Sequence, residues 1–132
     1  MRRSLVSVVA LGLAWTAANA ASARTDAKLV DALVEARWGV ENSRPTNCRT
    51  SEDLAMMKQQ TRRYRVLRQV SGGVANGALL RAADKRWAAE KAAWDRKTAT
   101  MDVWIPCAAG KLREANARIS QLLRARGVRG AY

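Results

Sequence analysis

The stretch "NCRTSEDLAMMKQQTRRYRVLRQ", Asn47 to Gln69, places a cysteine directly before a helix start. Ser51 or Thr50 can accept a hydrogen bond from a free backbone N–H, and Glu52 and Asp53 suit the positive end of the helix dipole. Leu54, Met57, Thr61, Tyr64 and Leu67 fall on one side at helical spacing. The pattern predicts a helix from Ser51 to about Ser71, broken by Gly72-Gly73 and Gly77. Its other side carries Lys58, Arg62 and Arg65 at i, i+4 and i+7, beside Gln69, with Arg63 and Arg68 flanking. Arginine makes bidentate pairs with phosphate and carboxylate. Lys58, Arg62, Arg65 and Arg68 are therefore the candidate anion-binding residues.

The cysteine that opens this stretch has one possible partner. Cys48 and Cys107 are the only two in the chain. The N-terminus explains why they should pair. "MRRSLVSVVALGLAWTAANA" has a basic start at Arg2-Arg3, an apolar run from Leu5 to Ala18, and an Ala18-Asn19-Ala20 cleavage motif. That is the form of a secretory signal peptide, and the apolar run falls short of the ~20 residues that span a bilayer. The expected division is a signal peptide over 1–20 and one domain over 21–132, acting in a periplasm or outside the cell. The processed protein is not expected to be integral to a membrane. Exported chains with an even cysteine count usually oxidise them. Closing a loop of about 60 residues would remove roughly 4 kcal/mol of unfolded-state entropy.

Three further helices are legible. One covers Thr25 to Trp38, with Leu29, Val30, Leu33, Val34 and Trp38 on one face and Gly39 as its stop. "VENSRPTNCRT" then reads as a loop. Another runs from Ala78 to the low 100s, where Leu80, Ala83, Trp87, Trp94 and Met101 share a narrow arc and Pro106 ends the run. This stripe is expected to be core, because the domain has no phenylalanine and tryptophan must supply the bulk. Trp104, beside Pro106, is the ring expected to be partly exposed. The last helix runs from Cys107 to Arg126 on Leu112, Ala115, Ile119 and Leu122/Leu123, with a Glu114–Arg118 i,i+4 pair, and Gly127 and Gly130 free the tail. No stretch alternates with period two. The fold class is all-α, an up-down bundle of about four helices with one disulfide. In that topology the second and fourth helices start at the same end, which is where Cys48 and Cys107 lie.

Composition narrows the chemistry. There is no histidine, hence no usual general base, zinc ligand or Ser-His-Asp arrangement. Cystine formation consumes both thiols. Asp84, Glu90 and Asp95 share a helix but not a face, and no phosphate-loop motif occurs. The expectation is a non-enzyme without metal or cofactor. Arg2 and Arg3 leave with the signal, so 22 basic residues, 16 of them arginine, face 11 acids, a net charge of +11. Such a domain is attracted to anionic surfaces. In a periplasm the available anions are phosphorylated glycolipids, anionic lipids and acidic proteins rather than nucleic acid.

The order "CRTSEDL", Tyr64, "LLRAADKRWAAEKAAW" and "CAAGKLREANARISQLL" resembles the small exported cysteine-containing proteins typified by the lysozyme inhibitor LprI. Cys48, Leu54, Tyr64, Trp87, Glu90, Lys91, Cys107, Arg118, Ile119 and Leu122 match that outline. The family carries more cysteines, including one where Trp94 stands here. The resemblance implies a helical lysozyme-inhibitor-like protein with lysozyme as partner. Charge opposes it, since common lysozymes are cationic and a +11 inhibitor meets long-range repulsion. The leading expectation is therefore a non-catalytic periplasmic helical protein that binds an anionic envelope component or an acidic protein. A chaperone-like protein for unfolded chains is a third class, although the paired L-T-x-x-Q motifs of the small helical chaperones are absent.

Overall fold

A computed structural model describes residues 23–130; the signal peptide expected over 1–20 lies outside them. Among the described residues all regular structure is helical. α1 covers residues 23–41. α2 is Ser51–Gly72, α3 is Ala78–Thr98 and α4 is Ala109–Ala125, with a 3-10 turn, Val74–Gly77, between α2 and α3. Cys48 and Cys107 are bonded, with Cα atoms 4.9 Å apart.

Cross-helix contacts give the directions. Gln60 meets Asn116 and Arg63 meets Ser120, so residue numbers rise together and α2 runs parallel to α4. Asp26 pairs with Arg126 and Glu35 with Arg118, so α1 is antiparallel to α4. Asp31 pairs with Arg86 and Glu41 with Lys91, so α1 is parallel to α3. The result is the up-down-up-down order that the cysteines require.

The core is aliphatic. Leu29, Leu33, Leu67, Leu112, Ile119 and Leu123 are fully buried. A smaller cluster of Cys48, Met57 and Ala109 closes the disulfide end. Thr50 caps α2, its hydroxyl accepting from the Asp53 N–H at 3.1 Å. Buried positions on α2 include Gln60 and Ser71 beside Met57, Tyr64 and Leu67.

Four sequence expectations need correcting. Gly39 does not stop α1, which continues to residue 41. It is buried, and a Cβ there would lie 2.8 Å from the Leu112 Cβ and 3.0 Å from its Cα. The glycine marks the close approach of α1 and α4. The tryptophan stripe is core only in its first half: Ala83 is buried and Leu80 and Trp87 pack against the core, whereas Trp94 and Met101 are exposed. α1 ends near the Glu41–Lys91 contact, so beyond Lys91 α3 faces a groove bordered by the α1–α2 loop instead of another helix. Glu114 does not pair with Arg118, which reaches Glu35 on α1 at 2.5 Å instead. Gly127 does not free the tail. At φ +80° it folds the chain back, with the Val128 N–H donating to the Leu123 carbonyl and the Gly127 N–H to the Arg124 carbonyl. Helix bounds also shift: α3 stops at Thr98 and α4 starts at Ala109, leaving an irregular strand of chain around Pro106.

Trp87 is the one tryptophan of the stripe that packs against the core. Its ring lies 5.9 Å from that of Trp38, tilted 58°, and the Arg37 guanidinium sits 4.4 Å above it. Trp87→Ala should therefore destabilise by about 3 kcal/mol and the more exposed Trp94→Ala by about 1–2 kcal/mol. Urea melts of the two variants check this, and equal losses would mean that the last turns of α3 are buried.

The α2–α3 turn is tight rather than flexible. Ala75 (φ 49°) and Asn76 (φ 55°) adopt left-handed conformations before Gly77. A non-glycine residue there costs about 1–2 kcal/mol. Burial of Val74 and the bond from Arg81 to the Asn76 carbonyl hold the turn in place.

Candidate functional site

α2 is amphipathic because its apolar side chains recur every three or four residues, which turns Lys58, Arg62 and Arg65 outward. All three are exposed. Over seven residues they span about 11 Å at ~1.5 Å per residue. With Arg44 from the α1–α2 loop they border a shallow groove of about 320 Å³, lined also by Val40, Pro45 and Met57 and by Ser43 and Thr61. Arg44 is held toward Glu41 by a 2.7 Å ion pair.

Arg68, the fourth candidate, stands apart. It makes two parallel bonds to Asp84 on α3, at 2.6 and 2.7 Å. That bidentate pair raises the Arg68 pKa and lowers that of Asp84, in each case chiefly through the hydrogen bonds between them. Arg63 is half-buried and donates to the Ser120 hydroxyl at 3.0 Å. The structure thus brings Lys58, Arg62 and Arg65 together and gives Arg68 a structural partner.

Depression of the Asp84 pKa fixes a sign. Its contribution to stability is full above the unfolded carboxylate value of about 4 and is lost as pH falls through the lower folded value. Asp84 is 42% exposed, so solvent screening keeps the effect below about 1 kcal/mol. Asp84→Asn should flatten the acid limb of melting temperature against pH. An unchanged limb would show that the pair does not couple to folding.

The distribution of carboxylates explains why α2 is left positive. Seven of the eleven acids form ion pairs: Asp26, Asp31, Glu35, Glu41, Asp84, Glu90 and Asp95. Five of the pairs join helices, α1 to α3 or α4 and α2 to α3 through Arg68, while Arg44–Glu41, Arg86–Glu90 and Lys91–Asp95 are local. None of the pairs involves Lys58, Arg62 or Arg65. The cause lies in the sequence: Leu54 to Ala83 contains six basic residues and no acid. That acid-free window is the signal that a search for basic spacing alone does not use.

Two larger grooves lie at the disulfide end. One, of about 460 Å³, runs between α1, α4 and Ile105-Pro106. Its charges balance, with Glu35 and Glu114 against Lys111 and Arg118. The other, of about 450 Å³, is bordered by Trp38, Trp94 and Trp104 and shares Arg44 with the basic groove. Among the described residues no cluster of three or more His, Cys, Asp or Glu side chains could hold a metal ion. No helix among them is long and apolar enough to cross a membrane. Comparison of the chain with protein-family models, curated proteins and solved structures finds no match.

Proposed function

We propose that the processed protein is a non-catalytic binding domain of the cell envelope whose ligand is an anionic envelope component, docked on the outer face of α2. The observation that supports this reading is the stripe of Lys58, Arg62 and Arg65. It is exposed, without a carboxylate partner among the described residues, and borders a groove partly lined by apolar side chains. Three cations over about 11 Å match the spacing of phosphates on a lipid surface or a phosphorylated glycolipid. Val40, Pro45 and Met57 give the apolar part of such a ligand a surface to lie on.

The test uses vesicles containing phosphatidylglycerol. Replacing Lys58, Arg62 and Arg65 with glutamine should weaken binding on the order of 100-fold, since each surface cation contributes about 1 kcal/mol. The melting temperature should barely move, because exposed unpaired charges add little to stability. The matched control replaces Lys28, Lys85 and Arg129, which are exposed on other parts of the surface. Equal loss in both variants would reduce the attraction to net charge and remove α2 as a site. Tight capture of an acidic protein without any vesicle binding would transfer the site to a protein partner.

A further inference from the structure

Three of the four large apolar side chains exposed on the described surface belong to one short segment: Trp94 (37%), Met101 (57%) and Trp104 (82%). They lie at the C-terminal end of α3 and the irregular chain after it. Trp94 and Trp104 border one groove, together with Arg49 and Lys91. Arg96 and Lys97 are exposed in the last turn of α3. Of the nearby acids, Asp95 pairs with Lys91 at 2.7 Å and Glu41 with Arg44 at 2.7 Å, while Asp102 is exposed between Met101 and Trp104; against these three stand Arg44, Arg49, Lys91, Arg96 and Lys97. This tip therefore combines the protruding Trp104 indole and Met101 with a surplus of cations.

That combination has a specific chemical match. An indole has an apolar body and one polar N–H, so it is most stable where hydrocarbon meets headgroups. Basic side chains around it attract anionic phosphates, and the two terms add. We propose that the tip is a membrane anchor, in which Trp104 and Met101 enter the interfacial layer of an anionic bilayer while Arg49, Arg96 and Lys97 meet its phosphates. This rests on the anionic-ligand reading above and names the ligand as a lipid surface. Arg44 borders both the tip groove and the α2 groove, so the two adjoin there. A second copy of this chain is a poorer occupant, because it would bring two strongly positive domains together.

The experiment compares the protein with its Trp104→Ser and Trp104→Phe variants. Residues 1–22 are identical in all three, so any contribution from them is shared. Trp104 is so exposed that neither change should alter the melting temperature. Tryptophan emission is followed on vesicles of phosphatidylcholine with and without phosphatidylglycerol, some carrying brominated acyl chains. The expected result is a blue shift and bromine quenching on anionic vesicles only. Trp104→Ser should lose most of that signal and bind about tenfold more weakly, the factor for burying one large side chain. Trp104→Phe should retain most of the affinity. Equal affinity of Trp104→Ser and the parent would overturn the anchor while leaving the α2 reading standing. A blue shift that grows with protein concentration and needs no vesicles would make the tip a self-association face instead. Absence of any vesicle binding would overturn both proposals.

Discussion

Reduction of the Cys48–Cys107 bond is expected to lower stability by about 4 kcal/mol. The bond closes a separation of 59 residues, and the chain-entropy relation for a loop of that length gives this value. The bridge does more than restrict the unfolded chain. It fixes the irregular segment between α3 and α4, which otherwise depends on a few polar bonds. The Asn47 side chain donates to the Asn42 carbonyl at 2.7 Å and to the Ile105 carbonyl at 3.2 Å, and the Ala108 N–H donates to the Asn42 carbonyl at 3.3 Å. Urea unfolding with and without reductant, or of a Cys48→Ala/Cys107→Ala variant, measures the loss. The m-value should also fall when the bridge is present, because the crosslinked unfolded chain exposes less surface. A change below about 1 kcal/mol would mean that the reduced chain keeps the two ends together by other contacts.

Substitutions on either side of the α1–α4 crossing should both destabilise, one by removing volume and one by adding it. Leu112 is fully buried against Gly39, so Leu112→Ala should cost about 3 kcal/mol through lost burial and an unfilled cavity. Gly39→Ala places a methyl against the Leu112 Cβ and Cα, atoms that cannot swing aside, and overpacking of this kind costs about 1–3 kcal/mol. The sign is informative. Were Gly39 an exposed helical position, alanine would stabilise by up to about 1 kcal/mol through its higher helix propensity. A stabilised Gly39→Ala variant would contradict the close crossing.

The residues that fixed the fold class acted locally. Apolar spacing from Leu54 to Leu67 and from Leu112 to Leu123 reads directly as helix faces, and the burial pattern follows it. The cysteines added the one long-range constraint, and the parallel course of α2 and α4 agrees with it. What the sequence did not reveal depends on partners. Whether Gly39 ends a helix or admits a neighbour depends on where Leu112 lies. Whether Trp94 is core depends on where α1 stops, three residues after Gly39's predecessor Trp38. Arg118 had a local acid, Glu114, at favourable spacing, and the tertiary fold supplied Glu35 instead. Gln60, Asn116 and Ser120 were unreadable as buried residues because each is tolerated there only through its hydrogen bond or packing across the α2–α4 interface. In the candidate site the spacing of Lys58, Arg62 and Arg65 was legible. The diversion of Arg68 to Asp84 was not, since those residues meet only when α3 folds back on α2.

The most direct measurement of the central claim is co-sedimentation of the protein with vesicles across a series of phosphatidylglycerol content and salt. Exposed charges are screened beyond ~8 Å at physiological ionic strength and much more strongly at ~1 M salt. Binding should rise with anionic lipid, be absent on neutral vesicles at every salt, and weaken steeply as salt is added. Binding that is equal on neutral and anionic vesicles, or that is unchanged by salt, would contradict the claim.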